Sequence, residues 1–131
     1  MPLFAKKKQN KNLIYLVEDD ALLGRSLMDS LKEVGFEVVL VTNGAKVLPL
    51  VNEKAPDLIL LDLILPGLDG FEVLKRLKAK KKTEQIPVVV ISNLEVLSDV
   101  KSAKALGAEE YFIKANSTMD EIVRFVTKRL G

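Results

Sequence analysis

The sequence predicts an α/β fold, with one parallel five-stranded sheet covered by helices on both faces. Three observations carry this prediction. Short, almost wholly apolar runs alternate five times with segments of helical period. The runs lack the polar alternation of a half-exposed strand, as strands buried on both faces should. Glycines and capping signatures mark the joins, and such alternation builds β-α units that stack into three layers.

Residues 1–11 are polar and basic without periodicity and read as a loose arm. Leu13 to Val17 is the first strand. Leu23, Leu27, Leu31 and Val34 then recur at helical spacing, and Gly35 ends that helix. Val38 to Val41 is the second strand, followed by a turn at Asn43-Gly44. Ala45 to Lys54 is the second helix, but it contains Pro49. Proline lacks an amide hydrogen and fits cheaply only in a first turn, so this helix starts late or kinks. Pro56-Asp57 leads into the third strand, Leu58 to Leu61. Asp69-Gly70-Phe71-Glu72 reads as a capping box opening a third helix that runs to about Lys80. Pro87 precedes the fourth strand, Val88 to Ile91. Leu94 to Leu106 is the fourth helix, closed by Gly107, and Tyr111 to Ile113 is the fifth strand. Thr118-Met119-Asp120-Glu121 is a second capping box, opening a last helix with the apolar stripe Met119, Ile122, Val126 and Leu130. A single (βα)5 domain over residues 12–131 follows, with the flavodoxin-like strand order 2-1-3-4-5.

Composition narrows the chemistry. The chain has 131 residues, 48% of them hydrophobic, which suits one domain with a sizeable core. It has no cysteine and no histidine. Disulfides, thiolate or imidazole metal sites, and cysteine or histidine catalysis are thereby excluded. A net charge of +2 is too small to argue for nucleic-acid binding by this domain. The lysine runs at Lys6 to Lys11 and Lys78 to Lys82 read as a solvated tail and a solvated loop. No apolar run approaches the ~18 residues of a membrane span. Lys6-Lys7-Lys8 follow a very short apolar stretch, whereas a secretory signal puts its charges first. The expectation is a soluble, cytoplasmic protein with no membrane partner.

Ligands of open parallel sheets bind beyond the carboxyl ends of the strands, near the switch in strand order. The polar residues fall there: Glu18-Asp19-Asp20 after the first strand, Asp62 after the third, Ser92-Asn93 after the fourth and Lys114 after the fifth. Singly, each has a plain alternative. Asp20 can simply cap the next helix, and a lone serine or lysine at a strand end is usually solvated. Together they make an all-oxygen pocket beside an ammonium, which suits a hard cation such as Mg²⁺. A carboxylate to attack, positive charge to hold oxygens and a hydroxyl donor form a site for receiving a phosphoryl group.

With these residues in place, the chain resembles the receiver domain of two-component response regulators over about residues 12–130. The matching segments are Ile14 to Asp20, Pro56 to Asp62 continuing through Leu63-Ile64-Leu65-Pro66-Gly67-Leu68-Asp69-Gly70, Val88 to Asn93, and Gly107 to Lys114. The third-strand segment with its following loop is the most specific. The resemblance implies that Asp62 accepts phosphate from a phosphohistidine on a sensor histidine kinase or histidine phosphotransfer protein. It implies that Glu18, Asp19 and Asp62, with the backbone carbonyl of Ile64, hold Mg²⁺ or Mn²⁺, Asp19 being the more direct ligand. Ser92 is implied as the switch hydroxyl, Lys114 as the phosphoryl-pairing lysine and Tyr111 as the rotating aromatic. Phosphorylation would draw Ser92 and Lys114 inward and let Tyr111 turn. That remodels the face of fourth helix, fifth strand and fifth helix for an unknown downstream protein or a homodimer. On this reading the chain is a signalling phosphoacceptor that assists its own chemistry, not an enzyme.

Three departures from the family pattern stand out. Ala115 follows Lys114 where proline, often after a cis bond, is usual; the expectation is trans geometry or stored strain. Ile64 and Leu94 place two apolar groups at the rim where hydrolytic water approaches, implying slow loss of the phosphoryl group. Pro49 bears on the second helix alone. The leading expectation is a stand-alone phosphorylation switch, since the chain ends at Lys128-Arg129-Leu130-Gly131. The alternative is a receiver from a longer DNA-binding regulator, in which class Glu109, Glu110 and Arg124 fall where dimer salt bridges are made. An aspartate-dependent phosphatase would carry Asp-x-Asp where this chain has Glu18-Asp19-Asp20. A flavin module would need a Gly, Ser and Thr loop in the same place.

Overall fold

The computed structural model describes residues 12–131; the basic arm expected over 1–11 lies outside the described residues. The elements are β1 (Leu13–Val17), α1 (Ala21–Glu33), β2 (Glu37–Val41), α2 (Val47–Glu53), β3 (Leu58–Leu61), α3 (Gly70–Ala79), β4 (Val88–Ser92), α4 (Leu97–Ala105), β5 (Glu110–Ile113) and α5 (Met119–Leu130). Single 3-10 turns occupy Gly44–Lys46 and Lys114–Asn116. All strand pairs are parallel, in the order β2-β1-β3-β4-β5.

Successive strand side chains point to opposite faces, so wholly apolar strands feed two cores at once. Tyr15, Val17, Ile59, Leu61, Val88 and Val90 pack with Val47 and Val51 of α2, Val73, Leu74 and Leu77 of α3, and Ala103 of α4. The alternate residues Ile14, Leu16, Leu58, Leu60, Val89 and Ile91 pack with Leu27 and Leu31 of α1 and Ile122 and Val126 of α5. With both faces sealed, the polar ends of β1, β3, β4 and β5 are left to gather at one edge of the layer. No described helix is long and apolar enough to cross a membrane.

The helix starts follow from their caps. Asp20 accepts from the amides of Leu22 and Leu23, both at 3.1 Å, so its local role is the N-cap of α1. Asn43 Oδ1 accepts from Ala45 at 2.8 Å and opens the 3-10 turn. The α-helix proper then begins at Val47, which places Pro49 in its first turn, where a missing amide costs little. Gly35 and Gly107 have φ of 105° and 117°, as the chain reverses after α1 and α4. The capping box at Thr118 is complete: Glu121 donates its amide to Thr118 Oγ1 at 3.1 Å and receives the Thr118 amide at 2.7 Å.

Three expectations need correction. Asp69 accepts from the Glu72 amide at 3.1 Å, but Glu72 turns its carboxylate to Arg76 at 2.9 Å, so only half of that capping box forms. The fourth helix starts at Leu97, not Leu94, because residues 94–96 belong to the loop that meets Tyr111. Lys78 is not a solvated loop residue. It lies in the last turn of α3 and donates to the carbonyls of Glu84 and Ile86, at 2.9 and 2.6 Å, closing the α3–β4 connection.

Gly70 opens α3 directly against the chain leaving β3. A Cβ there would stand 2.3 Å from the Asp62 carbonyl oxygen and 2.4 Å from Leu63 Cα. Both contacts are backbone and neither can swing away. Gly70→Ala should therefore lose about 1–3 kcal/mol or more through overpacking, read as a lower urea midpoint; an unchanged midpoint would contradict this close packing.

Candidate functional site

Hydrogen bonds of the sheet fix the two buried acids before their side chains are considered. The Glu18 amide donates to Val41 of β2 at 2.9 Å, and the Asp62 amide donates to Val17 of β1 at 3.0 Å. Each residue is thus one step past its strand yet still tied to the neighbouring one. Glu18 and Asp62 are 1% and 3% exposed, whereas Asp19 between them is open to solvent. Carboxylate oxygens of Glu18, Asp19 and Asp62 lie within 4.8 Å of one another.

Lys114 balances part of this charge. Its Nζ donates to Asp62 Oδ2 at 2.7 Å and sits 2.8 Å from Glu18 Oε1. The Ile64 amide fills Asp62 Oδ1 at 3.1 Å, and the Asp20 amide fills Glu18 Oε2 at 3.0 Å. Glu18 Oε1 meets the ammonium as an ion pair without an aligned hydrogen bond, so a buried acceptor stays unsatisfied. Burial pushes the Glu18 carboxyl above its ordinary range, against the opposing pull of Lys114 and the Asp20 amide. Burial by itself would lower the Lys114 ammonium, but its hydrogen bond to Asp62 and its pairing with Glu18 outweigh it and the net direction is up.

Three carboxylates against one ammonium leave two negative charges over. A buried oxygen met only by an ion pair and a surplus of hard oxygen donors fit a divalent cation of the Mg²⁺ or Mn²⁺ type. Glu18, Asp19 and Asp62 would supply the side-chain ligands, and the Ile64 carbonyl lies on the same loop.

The remaining expected residues occupy the neighbouring strand ends. Ser92 closes β4, fully buried, and its hydroxyl accepts weakly from the Leu94 amide at 3.4 Å. Tyr111 is half-buried, and its hydroxyl donates to the Leu94 carbonyl at 2.8 Å. Burial raises the Tyr111 phenol above its ordinary value, opposed by the nearby Ser92 hydroxyl. Ile64 is 55% exposed at the mouth. Leu94 instead packs against the core, so of the two apolar rim residues Ile64 alone stands out. The peptide bond at Lys114-Ala115 is trans, as are the others among the described residues.

Glu109 is held by Arg129 in a two-pronged pair at 2.8 and 2.9 Å, and Glu110 lies 3.6 Å from Lys104. Both acids are thus engaged within the chain, while Arg124 is exposed. Two contacts gave no legible signal in the sequence. The Leu94 carbonyl is a backbone acceptor with no residue-type signature. Asn93, adjacent to Ser92, accepts from the Ala115 amide at 3.1 Å.

Comparison with known proteins agrees with this geometry. A family model, the response regulator receiver domain, matches residues 14–127. The transcriptional regulatory protein AfsQ1 of Streptomyces coelicolor is 35% identical over 118 residues, covering 88% of this chain and 51% of AfsQ1. This chain spans about half the length of the curated relatives it matches. Among solved structures, the BeF3-activated N-terminal receiver domain of Klebsiella pneumoniae RstA superposes with a TM-score of 0.83 at 27% identity, covering 91% of this chain and 98% of that one. The Mn(2+)-bound form of response regulator Rcp1 gives 0.81 at 29% identity, with coverage of 89% and 92%. The chain belongs to the response regulator receiver domain family.

Proposed function

We propose that this domain is a phosphoacceptor in a two-component relay, with Asp62 as the acceptor. The observation that carries the reading is the Lys114 ammonium bridging Asp62 Oδ2 and Glu18 Oε1 inside an acidic pocket. In the transfer, an Asp62 carboxylate oxygen forms a bond to phosphorus as the P–N bond of a phosphohistidine breaks. The electron pair stays on the imidazole nitrogen. Lys114, already beside Asp62, pairs with phosphoryl oxygens as they arrive, and the Ser92 hydroxyl donates to another. A bound Mg²⁺ or Mn²⁺ would neutralise charge on the phosphoryl oxygens. The relative Rcp1 has a Mn(2+)-bound form, which supports that choice.

The donor would be a sensor histidine kinase or histidine phosphotransfer protein, met in the cytoplasm. The domain would act as a switch that assists its own phosphorylation and hydrolysis, not as a turnover enzyme. Added charge at Asp62 would pull on Ser92 and, through the Leu94 loop and Tyr111, remodel the α4-β5-α5 face for a downstream protein or a second copy. A second reading, a receiver within a longer DNA-binding regulator, is favoured by one observation: the curated relatives are transcriptional regulators about twice as long as this chain.

Three outcomes are expected. With Mg²⁺ and a small phosphodonor, intact mass should rise by one phosphate in wild type and not in Asp62→Asn; equal labelling of both would overturn the assignment. Mg²⁺ at ten times its dissociation constant should stabilise the fold by about 1.4 kcal/mol. That is a rise of roughly 5 °C in Tm, and Asp19→Asn should abolish most of it. The phosphorylated protein should keep its phosphoryl group well beyond seconds, because Ile64 shields the mouth, and Ile64→Asn should shorten that lifetime. A wild-type half-life of seconds in a time-resolved mass assay would contradict the shielding.

A further inference from the structure

We infer that Asn93 is a positioning residue, clasping the loop that carries Lys114 to the loop that carries Ser92. This rests on the phosphoacceptor reading above. The last register pair of β4 with β5 is Ser92 with Ile113. Immediately beyond it the backbones part: one enters the loop before α4, and the other the 3-10 turn Lys114–Asn116. At that point the Asn93 side chain replaces the ladder. Its Oδ1 accepts from the Ala115 amide at 3.1 Å. The bonded residues are the immediate successors of Ser92 and Lys114, the two side chains that would contact phosphoryl oxygens. A proline at 115 would have no hydrogen to give. The clasp is therefore available to this chain because alanine stands there.

The neighbouring contacts give the clasp its leverage. Tyr111 of β5 donates to the Leu94 carbonyl at 2.8 Å, one residue beyond Asn93. The β4–α4 loop is thus held at two consecutive residues from the β5 side. Lys114 is held on its far side by Asp62 and Glu18. When Ser92 moves toward a phosphoryl group, the clasp carries the Lys114 backbone with it, so hydroxyl and ammonium arrive together. The clasp joins Asn93 to the Ala115 amide and uses none of the carboxylates of Glu18, Asp19 and Asp62, so metal affinity should not depend on it.

The test compares wild type with Asn93→Ala, Asn93→Asp and Ala115→Pro, using Mg²⁺ and a small phosphodonor. Losing one ordinary hydrogen bond from the positioned state should lower the phosphorylation rate at saturating donor about fivefold. Asn93→Ala should show this fall with its donor-concentration midpoint and Mg²⁺ affinity unchanged. Asn93→Asp keeps an acceptor for the Ala115 amide and should recover most of the rate. Ala115→Pro removes the donor instead and should add little when combined with Asn93→Ala. Equal rates in wild type and Asn93→Ala, or an Asn93→Asp variant as slow as Asn93→Ala, would overturn the inference while leaving Asp62 as acceptor. Absence of labelling in wild type would overturn the phosphoacceptor reading itself.

Discussion

Carboxylates at the ends of neighbouring strands repel strongly: two unit charges ~4 Å apart cost about 4 kcal/mol at an effective dielectric of 20. In this domain the Lys114 ammonium, 2.7 Å from Asp62 and 2.8 Å from Glu18, makes their proximity tolerable. The balance is deliberately incomplete in its physical effect. One buried Glu18 oxygen remains without a hydrogen bond and burial penalises its charged form, so further positive charge at the cluster is favourable. Under the proposed function, a cation drawn in by this imbalance would also prepare the site for an incoming phosphoryl group. The same lysine serves both states, pairing with Asp62 before transfer and with phosphoryl oxygens after it under the proposed function.

The sheet makes this arrangement reproducible. Because both faces of the strands are buried, a register slip by one residue would exchange the two cores, and the packing resists it. The amides of Glu18 and Asp62 continue the ladder past the strands, so the two acids inherit the precision of the sheet. Gly70 lets α3 begin directly against the Asp62 carbonyl, which holds the Asp62 backbone from the other side. The Leu94 and Lys114 loops lie beyond the ladder and are tied by side chains instead: Tyr111 donates to the Leu94 carbonyl, and Asn93 accepts from the Ala115 amide.

Most of this was legible in the sequence because it depends on periodicity and residue type. Unbroken apolar runs such as Leu58 to Leu61 admit little except a doubly buried strand, and the late start of α2 follows from Pro49. The cluster of Glu18, Asp19, Asp62 and Lys114 was foreseeable because a parallel sheet brings strand ends to one edge. What stayed hidden depends on where individual chains turn. Lys78 has the composition of a solvated loop, yet two carbonyls of the following connection draw its ammonium in. Glu72 had two possible partners, and Arg76 one turn later took its carboxylate. The loop of residues 94–96 looked helical, but the Leu94 carbonyl is bonded by Tyr111 across a distance of 17 residues.

The arrangement around Lys114 is open to direct inspection in a crystal structure grown with Mg²⁺ and beryllofluoride, the activating group of the RstA relative. Beryllium should be bonded to an Asp62 carboxylate oxygen, with the Lys114 ammonium and Ser92 hydroxyl each on a fluorine and Mg²⁺ among Glu18, Asp19 and Asp62. Beryllofluoride bound elsewhere, or Lys114 still paired with Asp62 and away from the fluorines, would contradict the proposed function.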